Sequence, residues 1–523
     1  LPNMKKFLKY FAAGCMVFSM TSCLDVEPQS EITDAGYWKE EGQFSSANTG
    51  LQAMFRDRTF NLYLWGEMRT NLYGGSPFSG EASSGYEFMW NNLLSQASPA
   101  ISNYGDCYGF INQLNLMIAK AENTDIIKEA AKKNYLGSAY GMRAFIYFQL
   151  LRTYGDVIVV TDYTKGSDIN IGNMGKAASP AAEVMAQIKK DIEASEKAYG
   201  ENYKFTNGRN YWSLAATKML KGEAYLWSGK QMGGGNADYQ IAKAAYEDVK
   251  KADVALQNDF TKVFAFNNKK NKEIIYAVYY GKDEKNMWND NFRLTLVMGS
   301  MFYRNYYEAD GTSLAESAMK DMDGVMRISL NKDMWKELYR DGDTRKAGSL
   351  KDIYAKNEDG SLKYVGNIQY KFQGTLPEGY NQRQWLDDYP IYRYADCLLG
   401  LAEAKALLGE DPAAEINEVR KRAYGEEYFN AHQAEVAYPN DTDASFYANN
   451  SFVGSDANVI EAVLKERCRE FLFEGKRWHD LRLMGAEYVT KYTSAHADKL
   501  LWPIDENTLG LNGLLHQTPG YDK

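Results

Sequence analysis

The stretch Leu464-Lys465-Glu466-Arg467-Cys468-Arg469-Glu470-Phe471-Leu472-Phe473-Glu474-Gly475-Lys476-Arg477-Trp478-His479-Asp480-Leu481-Arg482 carries an unusual density of paired charges beside an apolar stripe. Together with the residues before it, it predicts one long helix over Val459–Met484. Ile460, Val463, Leu464, Phe471 and Leu472 recur at helical spacing with Arg467 on the same side. Glu461 and Lys465 stand at i, i+4, a favourable ion-pair spacing. Gly475 and Lys476 interrupt the pattern before Trp478-His479-Asp480-Leu481-Arg482. Arginine and glutamate alternating this closely predict ion pairs that lock a scaffold, not a binding site.

Working outward, the strongest helical patterns fall into two blocks. Ala130–Thr153 carries Tyr135, Leu136, Ala139, Met142, Phe145, Phe148 and Leu151, and stops at Tyr154-Gly155-Asp156, where glycine suits the position past a helix end. Pro180–Tyr199, Asn210–Lys230 and, after Gly233-Gly234-Gly235, Tyr239–Ala252 are predicted to follow. Gly222 with Tyr225, and Tyr239, Ala242 and Tyr246, fall where tetratricopeptide-like hairpins place small and aromatic contacts, although the glycine insert lengthens the unit beyond the usual ~34 residues. The second block is Tyr392–Leu408, closed by Gly409, then Pro412–Ala423 opened by Asp411 as N-cap. Glu273–Tyr280 reads as a short strand, and Asn357-Glu358-Asp359-Gly360 as a hairpin turn in preference to part of a calcium loop. Gly66–Gly109 and Asn286–Tyr307 lack periodicity and have loop composition. No long linker divides the chain, so a mostly α single domain is expected.

Composition narrows the function. The 523 residues hold 60 Lys+Arg against 69 Asp+Glu, a net charge of −9, which disfavours a nucleic-acid partner. Four histidines leave little for metal or histidine-base chemistry, and no GxSxG, HExxH, P-loop or CxxC pattern occurs. No catalytic residue, metal or cofactor is expected. From Met4, a basic start (Lys5, Lys6, Lys9) and an apolar run from Tyr10 to Met20 form a secretory signal too short to span a bilayer. Met20-Thr21-Ser22-Cys23 resembles a bacterial lipobox, without the commoner leucine at its first position, so Cys23 is the expected lipidation site. Cleavage there removes 22 residues, three lysines among them and no acid, leaving 501 residues at a charge of −12. The expected organisation is a signal over 1–22, a lipidated tether over 23–35 and one domain over 36–523. Of the remaining thiols, Cys107, Cys397 and Cys468, an odd number at long spacings, the last two sit in apolar helical patterns and are expected to be free and buried.

Leu464–Arg482 resembles the SusD/RagB signature E-R-x-R-E-L-x-F-E-G-x-R-W-x-D-L-x-R, departing at Cys468 and Met484. Arg393-Tyr394-Ala395-Asp396 with Leu398 and Leu401-Ala402-Glu403-Ala404 is similar to the family's R-Y-A-E-x-L-L-x-x-A-E-A helix. Arg143-Ala144-Phe145-Ile146-Tyr147-Phe148 with Tyr154-Gly155, Leu501-Trp502-Pro503-Ile504, and Gln517-Thr518-Pro519-Gly520-Tyr521 match further elements in order. The resemblance covers essentially the whole chain. It implies a SusD-like fold with tetratricopeptide-type hairpins (about 106–252 and 391–484) and an irregular, loop-rich ligand face (about 60–105 and 281–380) with minor β. It further implies a lipid-anchored, cell-surface protein of the outer membrane of Bacteroidetes-type bacteria. Such a protein captures an oligosaccharide, without catalysis, for a SusC-like TonB-dependent transporter. The alternatives are peptide capture of the RagB kind, a surface glycan hydrolase, or a scaffold that touches no nutrient.

Sugars offer apolar C–H faces and rings of hydroxyls, which flat aromatic rings and Arg, Asn or Asp complement. The two loop regions supply Trp65, Arg69, Asn71, Tyr73, Tyr86, Trp90, Asn91 and Asn92, and then Trp288, Asp290, Asn291, Tyr303, Arg304, Tyr306 and Tyr307. From these, the expected ligand set is Trp65, Arg69, Asn71, Tyr86, Trp90, Asn91, Trp288, Tyr303, Tyr306 and Tyr307. Trp90 with Asn91, and Trp288, stand foremost, because each ring has a polar neighbour.

Overall fold

A computed structural model describes residues 34–78, 86–100, 104–165, 175–290, 292–295, 300–320, 324–325, 327–372 and 374–521. The expected signal, Cys23 and most of the tether lie outside the described residues. The longer helices are α1 (Glu41–Arg56), α2 (Thr59–Glu67), α3 (Asp106–Glu122), α4 (Glu129–Tyr154), α5 (Ala181–Tyr199), α6 (Leu214–Gln231), α7 (Gly235–Val249), α8 (Tyr394–Leu408), α9 (Ala413–Tyr424), α10 (Val459–Glu470), α11 (Arg477–Met484) and α12 (Ala486–Tyr492). Short strands β1 (Tyr73–Gly74), β2 (Ile274–Val278), β3 (Ser329–Leu330), β4 (Leu350–Lys356), β5 (Leu362–Gln369) and β6 (Tyr389–Arg393) pair as β1–β3, β2–β6 and β4–β5, all antiparallel. The fold is mostly α, as expected. No helix among the described residues is long and apolar enough to cross a membrane.

Helices α4 and α5, α6 and α7, and α8 and α9 pack as successive pairs. Close approach depends on missing side chains. A Cβ on Gly222 of α6 would lie 2.3 Å from the Tyr246 ring of α7, and one on Gly400 of α8 would lie 2.5 Å from the same ring. Tyr246 is therefore a wedge joining two helical pairs, and its 2% exposure shows that the joint is dry. The helix expected to start at Pro412 with Asp411 as N-cap begins one residue later, with Pro412 at the N-cap, although Asp411 still accepts from Ala413 N–H at 2.9 Å. Gly155 ends α4 at φ +79°, its N–H returning to Leu151 O at 3.0 Å. The segment Asn357–Ser361 is the β4–β5 turn, with Gly360 at φ +82°. Cys107, Cys397 and Cys468 are free and buried.

Two expectations at the signature fail for physical reasons. The single helix over Val459–Met484 is two, α10 and α11, because Phe473 and Gly475 both adopt φ +69°. The break lets residues 473–475 meet α2. Glu67 accepts from Phe473 N–H at 2.9 Å and Gly475 N–H at 2.7 Å, and a Cβ on Gly66 would lie 1.6 Å from Gly475 O. The i, i+4 pair expected between Glu461 and Lys465 within α10 does not form. Glu461 bonds Lys491 and Tyr492, while Lys465 bonds Asp441 and Asp456. Partners from other elements outcompete the local one.

The ion-pair lock itself is present and lies in the interior. Glu470 accepts from Arg345 (3.0 Å), Arg393 (2.6 Å) and Arg422. Glu466 accepts from Arg345 and Arg420, and Glu474 from Arg393 and Lys371. Arg467 bridges Asp396 and Asp480. These groups bind α10 to α8, α9, β6 and the strand-flanking Glu273. Burial would push the Glu470 carboxyl up, but Arg422, Arg393 and Arg345 outweigh it and hold it well below the usual carboxylate range.

Candidate functional site: the face built from two irregular regions

The two aromatic-rich regions meet because a few backbone bonds clamp them. Tyr73 pairs with Leu330 and Gly74 with Ser329, and Asn331 N–H donates to Leu72 O at 2.9 Å. Beneath the clamp, Phe60 and Tyr63 pack on Phe292 with ring centres 5.3 and 5.6 Å apart. Phe78 packs on Phe302 and Tyr306 at 5.1 and 5.4 Å, forming a second small core with Ile353 and Ile368. Apolar contacts thus position the polar edges above them.

Several of the expected ligand residues turn inward. Trp65 lies within α2 at 1% exposure, edge-on to Tyr154, so its ring belongs to the core. Arg69 is fully buried and ties the chain end down, donating to Leu501 O (2.7 Å) and Asn92 Oδ1 (2.8 Å), with its guanidinium 4.3 Å from the Trp478 ring. Trp90 is 7% exposed, and Tyr306 is buried in the second core. Asn71 is half-buried and donates to Ser451 O. Asn92 is buried beside Arg69, and Tyr73 donates to Glu67. Trp65, Arg69, Trp90 and Tyr306 therefore leave the ligand set: aromatic rings in a two-turn helix or a clamped loop are used for packing, which loop composition does not reveal.

Others remain available at the surface. Asn91 is exposed, while Tyr86 is half-buried. Trp288 is half-buried in the turn 286–290, where Asn289 N–H donates to Asn286 Oδ1 at 2.8 Å, and the Arg293 guanidinium lies 4.7 Å from its ring centre. Tyr307 is half-buried, its backbone bonded to Tyr354 and its ring 4.1 Å from Lys356 Nζ. Arg304 is exposed. Asp290 is buried and accepts from Tyr280 OH at 2.7 Å, so it braces the turn under Trp288. Asn291 and the side chain of Tyr303 lie outside the described residues. The guanidinium over the Trp288 ring covers one face, so only the part of the ring left exposed can meet an apolar sugar face, with Arg293 donating to hydroxyls at its rim.

A cavity of about 300 Å³ not expected from the sequence lies between residues 261–267 and residues 370–372 and 374–375, with Asp387 in its lining. Its one sequence signal is Phe264-Ala265-Phe266, two rings on a non-periodic segment. No cluster of three or more His, Cys, Asp or Glu suited to a metal occurs among the described residues.

A helical-repeat body locked by a buried arginine–glutamate signature, carrying an irregular face, defines a class of binding protein, and the chain belongs to the SusD family. The model for that family matches residues 193–496, and a second, described as starch-binding associating with outer membrane, matches residues 24–220. Among solved structures, the chain is similar to B. fragilis NanU, at 53% identity and TM-score 0.91 over 95% of this chain and 100% of that one. It is 52% identical to a SusD superfamily protein from Bacteroides vulgatus, with TM-score 0.89 over 92% of this chain and 100% of that one. A SusD-like protein of Formosa agariphila is 24% identical over 536 residues, 96% of each chain. A laminarin-binding SusD-like protein shares the fold at 18% identity, TM-score 0.68, over 92% of this chain and 100% of that one.

Proposed function

We propose that the protein is a non-catalytic, cell-surface lipoprotein of the outer membrane that captures an oligosaccharide and passes it to a SusC-like TonB-dependent transporter. The observation that supports the reading is the contact of the two irregular regions through Phe60, Tyr63 and Phe292, with the half-buried Trp288 ring on the second region packed against the core and covered on one side by Arg293. Asn91, Tyr86 and Tyr307 complete the ligand set on this reading, with Asn71 at its edge. The family's membership and the outer-membrane description of the second matching model support it. So does the lipobox-like segment at Cys23, with a signal over 1–22 and a tether over 23–35 before the body.

Affinity electrophoresis of the chain from residue 24 against a panel of polysaccharides tests the capture. Retardation without release of reducing ends is the expected result, and Trp288→Ala should reduce it while leaving helicity unchanged. Released sugar would make the protein a hydrolase, and no retardation on any glycan would discard the carbohydrate reading. Metabolic labelling with a palmitate analogue tests the anchor: label on the full chain and none on Cys23→Ala is expected, and equal labelling of both would refute it.

A further inference from the structure

The cavity between residues 261–267 and residues 370–372 and 374–375 is lined by the half-buried rings of Phe264, Phe266 and Tyr370, and by the buried carboxylate of Asp387. Its wall is shaped by two backbone devices. Phe372 sits at φ +59°, a conformation that L side chains rarely adopt, and this turns its ring inward onto Phe264 and Tyr389 at 5.3 and 5.5 Å. Gly374, at φ +71°, lies so close to Gln384 that a Cβ would be 2.7 Å from its carbonyl oxygen, and Thr375 bridges to Gln384.

Asp387 is 4% exposed and, among the described residues, accepts a hydrogen bond from Gly374 N–H at 2.9 Å. A carboxylate has about four acceptor directions, so it retains capacity for donors arriving through the cavity. Its neighbour Asp388 does not share this role, being held by Lys269 at 2.7 Å. The chemistry of an occupant follows. A purely apolar molecule would leave Asp387 without donors. An ammonium would meet Lys262 and Lys371, which line the same space. A single carboxylate offers a divalent metal too few ligands. A volume of about 300 Å³ lies at the small end of ligand cavities.

We propose that this cavity is a second saccharide subsite, separate from the Trp288 face, which takes one pyranose unit with its hydroxyls donating to Asp387 and its apolar face against the Phe266 and Tyr370 rings. The ligand class rests on the carbohydrate reading above, but the site does not use Trp288. Burial pushes the Asp387 carboxyl up to about 6, opposed by Gly374 N–H and Lys269 and reinforced by Asp388, with Arg383 also lowering it. The carboxylate is the form that accepts from sugar hydroxyls, so binding at this subsite weakens as pH falls through about 6.

The test is saturation-transfer NMR with methyl glucoside, methyl galactoside, methyl mannoside and the glycans that retard the protein in gels. It uses the chain from residue 24 as wild type, Phe266→Ala, Asp387→Asn and Trp288→Ala. Phe266 lies half-buried in a short 3₁₀ turn without buried residues, so its truncation leaves the core intact. Expected is a pyranoside signal that persists in Trp288→Ala, weakens about tenfold in Asp387→Asn and disappears in Phe266→Ala. Its decline below pH 6 should be absent in Asp387→Asn. A signal lost in Trp288→Ala but unchanged in the other two variants overturns the subsite and leaves the carbohydrate reading standing. No signal from any sugar with any variant overturns both.

Discussion

The convergence of three guanidiniums on one carboxylate makes Glu470 the most exacting test of the scaffold. Glu470→Gln keeps the shape, removes the charge and turns an amide toward Arg345, Arg393 and Arg422. Hydrogen bonds to charged groups contribute about 1.5–3 kcal/mol each, which for three sets an upper bound. The arginines keep other partners, however: Arg345 holds Asp343 and Glu466, Arg393 holds Glu273 and Glu474, and Arg422 holds Glu273. The expected loss is therefore the range for breaking one partner of a buried ion pair, about 3–5 kcal/mol. Urea unfolding followed by tryptophan fluorescence measures it, with Glu358→Gln on the exposed β4–β5 turn as a control expected within about 0.5 kcal/mol of wild type. Acidification supplies a second reading. The folded value of Glu470 is depressed, so its contribution is complete above the unfolded carboxylate value of about 4.3 and is lost as pH falls below it. The gap between wild type and variant should narrow in that window. A gap under about 1 kcal/mol at neutral pH, or one that does not change on acidification, would refute the reasoning.

Gly400→Ala should cost about 1–3 kcal/mol by driving a methyl group into Tyr246, and Tyr246→Leu in the same chain should restore part of it. Thermal unfolding by circular dichroism reads both, with Gly109→Ala, where nothing lies near the new methyl, expected to be neutral or stabilising. Glu67 is pushed up to about 7 by burial, so the folded protein binds a proton there that the unfolded chain releases at lower pH. Stability should accordingly fall as pH rises from the ordinary carboxylate value to about 7, and Glu67→Gln should flatten that decline; a slope identical in both proteins counts against it. Burial pushes the Cys107 thiol up to about 12 and raises Cys397 and Cys468 as well. Iodoacetamide should label none of the three in the native body and all three in urea, and labelling of the native body would contradict their burial.

The helical body was readable because its signals are local. Glycine at Gly155, the Asp411–Pro412 start and the stripe through Phe145 and Phe148 each act within a few residues, and helices form there within a turn of expectation. Asn210–Lys230 begins late, at Leu214, because Arg209 and Asn210 are recruited by β2: Arg209 O accepts from Ala277 N–H and Asn210 donates to Ala277 O. The break at Phe473 and Gly475 was marked by glycine, but its purpose depends on Glu67, far away in sequence. The site was less legible for the same reason. Whether an aromatic ring in an irregular segment faces solvent or a neighbouring element is decided by contacts such as Phe60 with Phe292, which no local pattern encodes. Trp65 and Trp90 look no different from Trp288 in sequence, yet the first two are core. The Asp387 cavity had only the Phe264–Phe266 pair to suggest it.

The meeting of Glu67 with the Phe473–Gly475 bend also sets an order of events for the growing chain. The bond from Phe473 to Glu67 joins residues 406 apart, and that from Arg69 to Leu501 joins residues 432 apart. The early helices α1 and α2 can coil as soon as they are made, but their burial waits for the far end of the polypeptide to arrive. Until then Trp65 and Tyr63 expose their rings, and the carboxylate of Glu67 has no backbone to cap. Late loop closure of this span slows folding and lengthens the interval in which sticky surface needs a chaperone. A chain cut short ahead of Leu501 would lose its front as well as its end, since Leu501 is the strap on which Arg69, and through it Asn92, is held.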